Sequence, residues 1–117
     1  MRAIRGAICA KNSQESILAS TKELLEQMII ENALKIEDIV SVTFTCTKDL
    51  NAVYPAVAAR ELGLTDAALL CMQEMDVKGS MPELVRVMLL VDIAVAQADV
   101  KHVFLGRAKM LRPDLIK

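Results

Sequence analysis

Apolar and polar positions alternate along several stretches of this chain, and one long stretch repeats at helical spacing. Residues 2–9, Arg-Ala-Ile-Arg-Gly-Ala-Ile-Cys, predict a first strand. Ile17, Leu18, Leu24, Leu25, Met28 and Ile29 then recur with the period of one helix face, predicting an amphipathic helix over 13–33. Asn12 or Ser13 offers its N-cap, and Glu15, three residues after Asn12, suggests a capping box. Val40, Val42, Phe44 and Cys46 alternate with Ser41, Thr43 and Thr45, the signature of a strand with one face on a core. Lys48–Asn51 reads as a turn. Pro55 opens a short helix running to Leu62, with Gly63 as its stop. Further strands are predicted at 67–72, 85–92 and 101–105.

Five strands and two or three helices in mixed order make an α/β (α+β mixed) domain, with a single five-stranded mixed sheet and one long helix. We read residues 1–117 as one domain, because no linker or low-complexity stretch divides them. In strand 85–92 both faces are largely apolar: Met88 and Leu90 share a side with Arg86. One long helix cannot cover both faces of such a sheet, so the uncovered face predicts a subunit interface and a homo-oligomer.

Composition removes several function classes. Fourteen basic and fifteen acidic side chains leave a net charge of −1, without the basic footprint of a nucleic-acid binder. Phe44, Tyr54 and Phe104 are the only aromatics, too few for a base-stacking platform. The longest uncharged run, Leu50–Ala59, contains Asn51 and Pro55 and is too short to span a membrane. No apolar segment follows the N-terminal Met-Arg-Ala-Ile-Arg-Gly, so no secretory leader is expected. Three cysteines (Cys9, Cys46, Cys71) without a C-x-x-C pair, and one histidine, disfavour a disulfide framework or zinc site and fit a reducing cytoplasm.

The residues that can carry chemistry are charges lodged in apolar strands. Arg5 lies between Ile4 and Gly6; either it snorkels to water, or its guanidinium forks onto a carboxylate, with Gly6 allowing a ligand close to the backbone. Arg86 interrupts the most hydrophobic strand and needs a partner: an ion pair with Glu74, Asp76 or Glu83, or a ligand. Glu74 ends an apolar run and reads as a loop charge or a site carboxylate. Cys71 reads first as a small buried hydrophobe, and the seven methionines as core filler. His102 is expected to face solvent, with no Ser/Asp partners for a triad. With no Gly-rich phosphate loop, activated nucleophile or metal set, this kit suits binding a small dianion and stabilising charge redistribution.

These residues also fall into blocks: Ala3-Ile4-Arg5-Gly6-Ala7, Asp49-Leu50, Tyr54-Pro55-Ala56, Ala59-Arg60-Glu61, Cys71-Met72-Gln73-Glu74-Met75-Asp76-Val77, Arg86-Val87-Met88, His102-Val103-Phe104-Leu105 and Leu111-Arg112-Pro113-Asp114-Leu115. In this order and spacing the chain resembles the monofunctional chorismate mutases of the trimeric bacillus type. The resemblance implies rearrangement of chorismate to prephenate, on the route to phenylalanine and tyrosine, without cofactor or metal. It implies a homotrimer with a barrel-like core of sheets and sites at subunit interfaces. By the same resemblance Arg86 faces the ether oxygen, Arg5 grips a carboxylate, and Glu74 accepts from the ring hydroxyl with Cys71 beside it. Leu70, Cys71, Met72 and Gln73 line the pocket, with Tyr54 and Ala56 on its wall, Arg60 and Arg112 at its mouth, and Leu111 in a closing tail. Phe104 stands where the family usually has tyrosine, Val57 where a lysine is common, Tyr54 where a phenylalanine is usual, and Leu70 where a small polar residue is usual. These departures are expected to weaken binding rather than change the reaction. The alternative is a non-catalytic trimeric module that senses a small dicarboxylate; a purely structural oligomer would bind no dianion.

Overall fold

The computed structural model describes residues 1–112. Strand β1 (Arg2–Cys9) leads into helix α1 (Gln14–Glu31), then β2 (Ile39–Cys46), the short helix α2 (Ala56–Glu61), β3 (Ala68–Gln73), β4 (Leu84–Val91) and β5 (Val103–Phe104). The sheet order is β3-β2-β4-β1-β5, with β4 antiparallel to β1 and β2, and the pairs β2–β3 and β1–β5 parallel. This is the predicted five-stranded mixed sheet with one long helix. Three 3₁₀ turns (Ile36–Asp38, Gln97–Asp99, Gly106–Met110) were not predicted, and the last strand is two residues rather than five.

Alternation decides what each face carries. Ile4, Ile8, Val42, Phe44, Val85, Val87, Leu89 and Val91 are buried together with Ile17, Leu24, Leu25 and Met28 of α1. The register Arg5↔Met88, Ala7↔Arg86, Thr43↔Met88 and Thr45↔Arg86 collects the other set on the opposite face. That face carries no helix. One end is covered by Phe104, Ala108 and Leu111, which pack on Ala7 and Leu84. Met88, Leu70 and Met72 stay 47%, 58% and 48% exposed, as the uncovered face predicted above requires.

Ser13 caps α1, its side chain accepting from the Ser16 amide. The capping box expected from Asn12 and Glu15 does not form; Asn12 is used elsewhere. Gly6 is needed by the helix: a Cβ there would lie 2.5 Å from Met28 Sδ and 3.1 Å from Leu24 Cδ1. Both side chains are fully buried and have little room to yield. Gly6→Ala is therefore expected to destabilise the fold by about 1–3 kcal/mol, read as a lower denaturant midpoint at unchanged m-value. No helix among the described residues is long and apolar enough to cross a membrane.

Candidate active site

Two cavities contain most of the residues singled out by sequence, and they lie on opposite faces of the sheet. The smaller, about 260 Å³, opens on the uncovered face and is lined by Arg5, Gly6, Thr43, Thr45, Glu74, Arg86, Val87, Met88 and Phe104. Arg5 and Arg86 project there because they share parity with Ala7 and Met88 on adjacent strands. Glu74 follows the end of β3, where its amide donates to the Cys46 carbonyl (2.8 Å). Its Oε1 accepts from Thr45 Oγ1 at 2.7 Å and stands 3.5 Å from Arg86 Nη1. The first contact is a short hydrogen bond; the second, with the Arg86 side chain 42% exposed, is a loose ion pair. Arg86 thus has the carboxylate partner the sequence argument required, yet remains open to an incoming anion.

Two contacts here were not read from the sequence. Thr45 looked like one of several polar residues on a half-buried strand, yet its hydroxyl orients Glu74. Thr45→Val keeps the shape and frees the carboxylate, so kcat/KM for the site's substrate is expected to fall about five- to tenfold with little change in Tm. His102 does not simply face solvent. It is half-buried, and its Nδ1 accepts the backbone N–H of Arg5 (2.9 Å), extending the β1–β5 pairing by one side-chain bond. Phe104 is 6% exposed, its ring held in the apolar cluster at the end of the pocket.

The larger cavity, about 600 Å³, lies at the other side of β3 and is lined by residues of 46–55 with Cys71, Met72 and Gln73. Tyr54 is 73% exposed at its wall, whereas Ala56 is buried behind it. Cys71 pairs in register with Phe44 and so faces away from Glu74; in one chain the two line different cavities. Burial pushes the Cys71 thiol up, opposed by a backbone hydrogen bond from Ala56 and by the charge of Arg60. Cys46 is pushed to about 11, mainly by burial and then by Cys71 and Asp49. Both thiols stay protonated near neutrality, so Cys71 is equipped for hydrogen bonding rather than nucleophilic attack. Leu70 lines neither cavity and lies exposed on the open face; Arg60 is exposed on α2. Leu111 and Arg112 are half-buried beyond the last 3₁₀ turn. The remainder of the expected closing tail, from Pro113, lies outside the described residues. Among the described residues, no three His, Cys, Asp or Glu side chains stand where they could share a metal ion.

Fold and site together define a small mixed-sheet protein with a two-arginine, one-carboxylate pocket on an open sheet face, a class suited to holding a small anion. Comparison with known proteins narrows this. The profile of the family described as chorismate mutase type I matches residues 1–115. Chorismate mutase AroH of Bacillus subtilis is 46% identical, the match covering 98% of this chain and 92% of that protein. Chorismate mutase AroH of Thermus thermophilus is 41% identical, covering 98% and 96%. The solved chorismate mutase from Clostridium thermocellum superposes with a TM-score of 0.90 at 47% identity, covering 92% of this chain and 97% of that one. The chain belongs to the type I chorismate mutase family.

Proposed function

We propose that this chain, a chorismate mutase of aromatic amino-acid biosynthesis, forms its site where the open-face pocket of one chain meets the loop-side cavity of a second, in a cytoplasmic homotrimer. The observation that carries this reading is the division of the charged and wall residues between two cavities on opposite sheet faces. Neither half suffices. The pocket holding Arg5, Glu74 and Arg86 is about 260 Å³, below the roughly 300–1,000 Å³ of ordinary ligand sites. The cavity holding Tyr54 and Cys71 has room but lacks those three charged groups. The exposed Leu70, Met72 and Met88 supply an apolar surface through which copies can join.

The reaction shifts electrons within one molecule. The ether C–O bond breaks as a C–C bond forms, every atom is retained, and no net proton or electron is exchanged. What the protein can add is conformer selection and charge stabilisation. In the transition state the ether oxygen gains negative charge and the ring gains partial positive charge. Arg86, fixed on β4 and leaning on Glu74, offers its guanidinium to that oxygen. Arg5, one strand away, holds a carboxylate by fork-like hydrogen bonds. Glu74, oriented by Thr45, keeps a lone pair for the ring hydroxyl. From the second chain, Cys71 adds a thiol near that hydroxyl, while Met72, Gln73, Tyr54 and Ala56 form the wall; Leu70, on the open face, serves the joining surface instead of the wall. Arg60 and Arg112 attract the dianion at the mouth, and Leu111 closes it. Phe104 contributes ring packing and no hydroxyl, so the substrate carboxylate rests more heavily on Arg5.

The test is the loss of chorismate's ultraviolet absorbance with purified protein, with prephenate identified as product. Saturable conversion is expected. Tight binding of a small dicarboxylate without any prephenate would instead make the chain a sensor, with Phe104→Tyr the first change to attempt.

A further inference from the structure

We propose that Asn12 is a positioning residue for the site: a side-chain clamp that sets the wall carrying Tyr54. The inference rests on the reading above in which Tyr54 lines the substrate pocket.

Asn12 sits between β1 and α1, where it could have capped the helix, but Ser13 does that. Its amide reaches across to the loop between β2 and α2 instead. Asn12 Oδ1 accepts the backbone N–H of both Asn51 (2.9 Å) and Ala52 (3.0 Å), and Asn12 Nδ2 donates to Asn51 Oδ1 (2.9 Å). Three hydrogen bonds from one side chain thus converge on two consecutive residues about 40 positions away. The arc they hold has no regular structure. It runs from the Leu50 turn, closed by Leu50 N–H to the Thr47 carbonyl, to the first turn of α2, where the Val57 N–H donates to the Tyr54 carbonyl. Leu50 and Pro55 bury their side chains at its two ends. Between them Asn51, Ala52, Val53 and Tyr54 line the larger cavity.

A loop pinned by apolar anchors at its ends and by one polar clamp in its middle keeps its shape only while the clamp holds. Both amide protons depend on a single oxygen, so an acceptor at Asn12 matters more than its amide nitrogen. Aspartate at this position retains that acceptor and loses only the bond to Asn51 Oδ1. Alanine loses all three. Because the clamp touches neither Arg5, Glu74 nor Arg86, its loss is expected in substrate affinity rather than in the chemical step.

The experiment compares Asn12→Ala, Asn12→Asp and Tyr54→Ala with the full-length chain, measuring kcat and KM for chorismate and the exchange rates of the Asn51 and Ala52 amides by NMR. Asn12→Ala is expected to raise KM about three- to tenfold with kcat within about twofold, and to speed exchange of both amides. Asn12→Asp is expected to recover most of both effects, and Tyr54→Ala to raise KM with both amides still protected. Faster exchange in Asn12→Ala at unaltered KM, with KM raised in Tyr54→Ala, would overturn the clamp alone. Unaltered KM in both would overturn the reading of the wall, and the clamp's role with it.

Discussion

Replacing Arg86 with alanine is expected to lower kcat for chorismate by about 10²–10³-fold or more, with a much smaller change in KM. The guanidinium stands on a central strand, and in the proposed mechanism its charge is needed most when the ether oxygen becomes negative, so its loss falls on the transition state. Unfolding does not account for such a result. The ion pair that Arg86 makes with Glu74 is 3.5 Å long and half-exposed, and a pair of that kind adds about 0–1 kcal/mol to stability. The Arg86→Ala protein should melt within a few degrees of the parent. Arg5→Ala provides the contrast: the carboxylate grip proposed for it serves ground and transition states alike, so the loss should appear largely in KM. A fall in kcat confined to Arg5→Ala, with Arg86→Ala nearly normal, would reverse the two assignments. The measurement is steady-state kinetics on both variants, with thermal melts as the control.

The second large effect concerns assembly. Leu90 lies on the open face two residues beyond Met88 and is half-buried in the single chain. A carboxylate there stays hydrated while the chain is alone and is stripped of water when another copy packs on that face. An unpaired charge in such an interface costs several kcal/mol. If the chain assembles as proposed, Leu90→Asp is therefore expected to shift the proposed trimer to monomers in analytical ultracentrifugation and to remove nearly all activity, with far-ultraviolet circular dichroism preserved. A monomeric Leu90→Asp protein with normal turnover would mean that one chain holds a complete site.

Much of this was legible in residue order because the two periods are clean. The 2–9 stretch and the alternation through Val42, Phe44 and Cys46 place β1 and β2 within a residue of their observed limits. The apolar stripe from Ile17 to Met28 predicts α1, which ends two residues before the predicted limit because Ala33 takes a left-handed φ of 50° and the Leu34 N–H folds back onto the Ile29 carbonyl. Arg5 and Arg86 stood out because charge in an apolar strand demands an explanation. Other features depend on tertiary context. β3 is an edge strand, so its apolar Leu70 and Met72 are exposed and its run of apolar residues does not say which face meets the core. Thr45, His102 and Asn12 act through partners 29, 97 and about 40 positions away, and no local pattern marks such pairs. The separation of Cys71 from Glu74 follows from strand parity only once β3 is known to reach Gln73.

The most direct test of a site shared between two chains is complementation. Arg86→Ala removes a residue of one half and Arg60→Glu reverses the charge that acts on Cys71 in the other, so each variant alone should turn over chorismate poorly below KM. Co-expressed in equal amounts and purified together, with mixed and unmixed oligomers left unseparated, they should regain about one intact site in four, because each interface draws its halves from neighbouring chains at random. Recovery to about a quarter of wild-type activity is the predicted result. Activity no greater than the average of the two separate variants, in oligomers shown to be mixed, would contradict the shared site.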